Sequence, residues 1–202
     1  MRRLVLPAMV MLALAGCGGG LLAPSDPPPA LYTLQAPTSV SASGARANWQ
    51  LLVDEPGAAL DLNIVRIAVA PAQSRVDYYS GIAWADRPPA MIQDLLVQSF
   101  ARSGRIDAVE RRSGGVHGDF ILATDLLDFQ AEADHSTPVV HVTLTAHLVR
   151  TRDRTIVATR IFEANMPATG GIDDVIAAFN NSLQAILPQI VAWTLDEGDR
   201  NR

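Results

Sequence analysis

The chain has 202 residues, 49% of them hydrophobic, and its 16 cationic side chains, all arginine, stand against 21 acidic ones for a formal net charge of −5. That length suits one domain with a sizeable core, and the mildly acidic balance argues against a nucleic-acid partner, which calls for a basic stripe. With one cysteine in the chain, no internal disulfide can form, so packing must carry the stability.

Met1-Arg2-Arg3 is a small positive segment, and Leu4 to Ala15 is an apolar run of 12 residues. The run is too short to cross a bilayer, which takes ~20 residues at ~1.5 Å each, but it fits the apolar centre of a secretory signal. Nothing polar precedes the arginine pair, which favours general secretion over twin-arginine export. Leu14-Ala15-Gly16-Cys17 closes the run and resembles the lipobox of bacterial lipoproteins. The resemblance implies that Leu14, Ala15 and Gly16 are read by the signal peptidase and that residues 1–16 are removed. Cys17 then becomes the first residue and carries a covalent diacylglyceryl and acyl modification; no other cofactor is implied. In known lipoproteins an aspartate after the cysteine marks retention at the inner membrane. Here Gly18 stands in its place, which implies the periplasmic face of the outer membrane. An ordinary secretory signal with an incidental cysteine is the alternative, and it needs a cleavage site elsewhere.

Gly18-Gly19-Gly20 and Ser25-Asp26-Pro27-Pro28-Pro29 make residues 17–30 a tether that cannot bury a core. Extended at ~3.1 Å per residue, Cys17 to Tyr32 reaches on the order of 45 Å. Multiple acyl chains anchor stably where one does not, so the chain is expected to be anchored to a membrane without spanning it.

The globular elements follow in order. Leu31-Tyr32-Thr33-Leu34 predicts an entering strand and Trp49 to Val53 a second one, stopped by Asp54-Glu55-Pro56-Gly57. Asn63 to Val69 is rich in β-branched residues and ends at Pro71, which suits a central strand covered on both faces. Arg75 to Pro88 holds two of the three tyrosines and one of the three tryptophans. Its Tyr78, Tyr79, Trp84 and Arg87 are candidate partner-binding residues, since such side chains carry interface energy when exposed; the other reading is a hairpin whose aromatics cap the core. Met91, Ile92, Leu95, Leu96 and Phe100 recur at helical spacing between Pro89 and Ser103, before Gly104. Ile106 to Arg111 predicts a strand, and strand, helix and strand suggest a right-handed crossover.

Phe120 to Asp134, Val140 to Val149 and Thr155 to Met166 predict three long strands of an antiparallel meander with one face buried. In the first of them, Leu127, Phe129, Ala131 and Ala133 are expected on one face and Asp128, Gln130, Glu132 and Asp134 on the other. Ile172 to about Leu195 carries the strongest helical stripe, through Val175, Ile176, Phe179, Leu183, Ile186, Leu187 and Ile190. Pro188 should kink it, Asp173-Asp174 suit its first turn, and Glu197 to Arg202 should fray.

No catalytic constellation emerges. Ser113-Gly114-Gly115 lacks the Lys-Ser/Thr ending of a phosphate loop, no Gly-x-Ser-x-Gly elbow exists, and no cysteine is free. His141 and His147 share a strand face, but six residues at ~3.3 Å put them about 20 Å apart, too far to share one metal ion. Asp125 and Asp128, three apart in a regular strand, are expected on opposite faces.

The lipobox, Leu31-Tyr32-Thr33-Leu34, the Ile64 to Val69 strand, Tyr78-Tyr79-Ser80 with Trp84-Ala85 ahead of Pro88, and the amphipathic helix come in an order that resembles the ABC-type transport auxiliary lipoprotein family, the PqiC-like proteins, over residues 31–195. That family usually carries further charged and aromatic positions where this chain has Gly81-Ile82-Ala83. The expected fold is α/β in the α+β sense: a mixed, mostly antiparallel sheet with two main amphipathic helices, over residues 31–197, before a polar tail at 198–202. The resemblance implies a non-enzymatic component of a lipid transport system. There an ABC permease and ATPase work with an MCE-domain protein, and the lipoprotein docks the periplasmic MCE assembly to the outer membrane and supports membrane integrity. A homo-oligomer would match the rings that MCE proteins form. The competing reading is a periplasmic carrier that shelters an acyl chain between helices and sheet; a hydrolase ranks third.

Overall fold

The computed structural model describes residues 27–72, 75–112, 115–133 and 137–202; Leu14 to Cys17, Gly18 and the glycine-rich start of the tether lie outside the described residues. The elements run β1 (Ala30–Tyr32), β2 (Leu51–Val53), β3 (Gly57–Ala58), β4 (Ala68–Ala72), β5 (Arg75–Tyr78), β6 (Ile82–Trp84), α1 (Pro88–Arg102), β7 (Val109–Arg111), β8 (Phe120–Glu132), β9 (Val139–Arg150), β10 (Thr155–Pro167) and α2 (Ile172–Arg200). The two helices pack on a mixed sheet, as the hydrophobic patterning predicts.

The sheet is built around β8. One edge of β8 pairs antiparallel with β9, and β9 pairs antiparallel with β10, giving the expected meander. The other edge takes three short strands in parallel at successive positions: β2 at Val53↔Leu122, β3 at Gly57↔Asp125 and β4 at Val69↔Ala131. Beyond them β7 pairs with β2 in parallel, so α1 crosses over between β2 and β7, and β5 pairs antiparallel with β4. β1 and β6 form a separate parallel pair, with Tyr32 opposite Trp84.

α1 opens on Pro88-Pro89, where missing backbone donors do no harm. It ends at Arg102, two residues before Gly104, whose φ of 63° suits the left-handed cap. α2 lays Phe179, Leu183, Ile186, Leu187 and Ile190 across Val140, Val142, Leu144, Ala146 and Leu148 of β9, all fully or almost fully buried. Each of these side chains except Ala146 contributes roughly 1.5–3 kcal/mol by leaving water. Pro188 lies within the helix; the carbonyl its missing N–H would have bonded belongs to Gln184, which faces solvent and can be satisfied by water.

Four expectations are corrected. The Asn63 to Val69 strand begins only at Ala68, because Leu62 and Asn63 turn back to donate to the Ala59 carbonyl at 3.1 and 3.0 Å. Pro71 falls inside β4, at the register shift between Val69 and Ala72, an irregularity of the kind where a sheet tolerates proline. The alternation in β8 breaks at a bulge between Leu126 and Asp128. Leu126 then points into the core with Phe129 and Ala131 while Leu127 is exposed, and Asp125 and Asp128 emerge on the same face, opposite Thr145 and Thr143.

The fourth correction concerns the tail. Residues 197–200 do not fray; they complete α2. Gly198 passes so close to Trp49 that a Cβ there would lie 2.3 Å from Trp49 Cζ2. Trp49 Nε1 donates to Asp199 Oδ1 at 2.9 Å, and the buried Arg105 reaches Asp199 Oδ2 at 3.1 Å. Arg105 also donates to the carbonyls of Ala45, at 2.8 Å, and Ser43. This latch fastens the end of α2 to the loop before β2, a long-range contact that local polarity does not reveal.

Candidate functional site

The aromatic stretch from Tyr78 to Arg87 divides between core and surface. Trp84 is 1% exposed, with its ring 5.3 Å from Phe179 and 5.6 Å from Phe129, and Phe129 and Phe179 are 4.6 Å apart. It is therefore a core residue and not a partner-binding one, because β6 pairs with β1 under α2. Arg87 precedes α1 and spans two loops, donating to Asn63 Oδ1 at 2.6 Å and pairing with Glu55 Oε1 at 2.9 Å. Tyr78 and Tyr79 are half-buried. The Arg66 guanidinium sits 3.9 Å from the Tyr78 ring centroid, and burial pushes the Tyr79 phenol above its ordinary pKa. Of the four candidate partner-binding residues, Tyr78, Tyr79 and Arg87 are partly open to solvent and Trp84 is not.

The molecule has two ends. At one, residues 27–29 lead into β1, and Tyr32 donates from its hydroxyl to Asp173 Oδ1 at 3.0 Å in the first turn of α2. That hydrogen bond, with burial and the Asp173 charge, raises the Tyr32 pKa. Gln35 N donates to Asn180 Oδ1 at 2.9 Å, two turns further along α2. At the other end lie the close of α2, Trp49 and the turn between β9 and β10. The 29 residues of α2 separate the two by roughly 43 Å at ~1.5 Å per residue.

The far end holds a depression of about 440 Å³ lined by Trp49, Phe120, His117, Arg150, Arg152 and Arg202, among others. Two of its arginines are already engaged: Arg150 with Asp153 at 2.8 Å and Arg202 with Asp199 at 2.8 Å. Hydrogen bonds from Arg150 hold Asp153 down at about 2. For Asp199, burial pushes the carboxyl up, but hydrogen bonds from Arg202 and Trp49 and the charges of Arg202 and Arg105 outweigh it and the net shift is downward.

The outer face of the meander, opposite the helices, carries the second candidate surface. Transverse rows run across β8, β9 and β10: Asp125, Thr145 and Ile161 in one, Asp128, Thr143 and Glu163 in the next, Gln130, His141 and Asn165 in the third. His141 and His147 lie on this face as the alternation predicts. Each meets its own carboxylate, His141 Nε2 lying 2.9 Å from Glu132 Oε2 and His147 Nε2 3.4 Å from Asp125 Oδ2, and His147 Nδ1 is 2.9 Å from Thr159 Oγ1. Among the described residues no group of three or more His, Cys, Asp or Glu side chains converges as a metal site would require. The alternation puts Asp128 on the polar face, where it lies, but puts Leu127 with the buried residues, and it assigns no face to Ile161 or Glu163. The available signal was the consecutive pair Leu126-Leu127, which breaks the alternation.

The fold defines a class: small two-layer α+β domains with two helices packed on a mixed sheet. Within that class, the chain belongs to the ABC-type transport auxiliary lipoprotein component family, whose sequence model matches residues 32–191. The family consists of transport-associated lipoproteins, which places it in the membrane-associated cell envelope. The crystal structure of protein XCC0632 from Xanthomonas campestris is similar, with 31% identity and a TM-score of 0.79 over 85% of this chain and 97% of that one. A second solved structure, of an uncharacterized protein, shares the fold at a TM-score of 0.64 and 12% identity, over 82% of this chain and 97% of that one. The uncharacterized protein bll6063 of Bradyrhizobium diazoefficiens is 27% identical over 169 residues, 81% of this chain. The chain spans 44% of that relative's length.

Proposed function

We propose that the protein is an outer-membrane lipoprotein that docks the periplasmic MCE assembly of an ABC-type lipid transport system to the outer membrane and so supports membrane integrity. Cys17 carries the acyl anchor, Gly18 directs the chain to the outer membrane, and residues 17–30 set the reach. The observation that carries the reading is the separation of the two ends: the tether meets the domain beside the start of α2, leaving the far end and the sheet face free to meet a partner. Family membership supports the association with an ABC transporter. The domain acts as a binding element and not as a catalyst, and several copies around one MCE ring would multiply a modest single-site affinity.

A carrier that shelters an acyl chain between the layers would need an apolar cavity there. Instead Phe129, Leu144, Phe179 and Leu183, which face one another across the layers, are fully buried in one continuous core.

The test is co-purification of the full-length lipidated protein with the MCE subunit of the transporter encoded in the same organism, under conditions that keep the transporter intact. Stable co-purification from the outer-membrane fraction is the expected result. Consistent absence of the MCE subunit would refute the docking role.

A further inference from the structure

The outer face of the meander departs from an ordinary solvated sheet face in two respects. The first is the bulge at Leu126/Asp128. It turns Leu127 outward, where it is 52% exposed, on the same face as Ile161 at 61% and Val76 at 36%. The three residues line one shallow groove of about 560 Å³. Bulges re-aim side chains and recur beside functional sites; here the re-aimed side chain is a leucine brought into water.

The second departure is charge. Asp128, Glu132 and Glu163 line the same groove, and Asp125 stands one row away. Asp128 and Glu163 share a row with Thr143 between them, about 10 Å apart across two strand spacings. Among the described residues, the basic side chains lining the groove are Arg75, paired with Asp77 at 2.6 Å, and His141, 2.9 Å from Glu132. A small apolar island therefore sits beside the carboxylates of Asp128 and Glu163, with Glu132 and Asp125 further out against His141 and His147, the arrangement of an interface anchor point with a polar rim.

We propose that this face is the docking surface for a basic protein segment, which seats an apolar side chain against Leu127 and Ile161 and brings lysine or arginine to Asp128 and Glu163. Charge complementarity selects the occupant. An anionic bilayer and a nucleic acid would both be repelled. A second copy, docked face to face about a two-fold axis, would set Asp128 and Glu163 against their own counterparts. The identification of the partner with a transporter subunit rests on the docking role proposed above; the chemistry of the face does not.

The experiment uses the full-length lipidated protein in cells. A photo-crosslinking amino acid replaces Leu127 and, as a control, Leu60, which is exposed on the loop after β3. A second variant carries Asp128→Arg and Glu163→Arg. The expected result is a cross-link from position 127, and not from position 60, to a Lys/Arg-rich peptide of another protein. Association with that protein should weaken about ten-fold or more in the charge-reversed variant and in raised salt, with an unchanged melting temperature. Cross-links to lipid alone, to a second copy alone or to nothing would overturn the proposal, as would full binding by the charge-reversed variant. A cross-link to a basic protein outside the transporter would keep this face and remove the transporter reading. Undiminished recovery of the MCE subunit by the charge-reversed variant would do the reverse.

Discussion

The inner and outer faces of the meander are made by the same three strands, yet they obey different rules. On β9, Val140, Val142, Leu144, Ala146 and Leu148 are completely buried under α2, while the intervening His141, Thr143, Thr145 and His147 are only half covered. Neighbouring residues in a strand therefore differ more in role than residues two apart. Large aromatic residues follow the same division: Trp84 lies wholly in the inner core, although its composition suggested an interface. What a side chain does in this protein depends first on which side of the sheet it reaches.

That contrast can be tested by substitution, beginning with the largest effect. Phe179→Ala and Trp84→Ala, each removing a ring from the three-ring cluster of the inner core, should destabilise by ~3–5 kcal/mol, read as a large drop in the denaturant midpoint. A Trp84→Ala variant with parental stability would break the assignment of that residue to the core. Gly198→Ala comes next, because its Cβ would strike the Trp49 indole. Overpacking of this kind costs ~1–3 kcal/mol, and a Trp49→Ala background should remove much of the added penalty in a double-mutant cycle.

The far-end carboxylates predict a smaller, pH-dependent term. Asp153 and Asp199 are both more acidic folded than free, so the stability they add is present above the ordinary aspartate value and is lost as the pH falls. For Asp153 the window runs from pH ~4 down through about 2. The melting temperature of the parent should therefore decline more steeply with acid than that of an Asp153→Asn, Asp199→Asn variant. Parallel curves would show that these ion pairs do not contribute. The smallest effect belongs to the outer face, where Leu127→Ser with Ile161→Ser should change stability by less than about 0.5 kcal/mol. A loss comparable to that of Phe179→Ala would erase the distinction between the faces.

Much of the fold was legible because its long elements carry strong periodicity. The seven-residue stripe from Val175 to Ile190 and the alternation through β9 leave one way to bury their apolar positions. The short parallel strands were less legible. β2, β3 and β4 have only three, two and five residues and are defined by pairing with β8 rather than by their own pattern. The latch of Gly198 and Asp199 onto Trp49 and Arg105 joins segments far apart in the chain, which local composition cannot reveal. For the candidate surface, a regular strand put Asp125 and Asp128 on opposite faces, and one inserted residue at Leu127 brought them together. Trp84 was ambiguous because an interface and a core draw on the same aromatic residues.

The most direct measurement is a paired one on the Asp128→Arg, Glu163→Arg variant: its thermal melt, and its recovery of the MCE subunit compared with the parent protein. The account predicts a melting temperature within about 2 °C of the parent, equivalent to about 1 kcal/mol or less, together with loss of the subunit. Full recovery of the subunit at parental stability would contradict it and place the docking surface elsewhere on the domain.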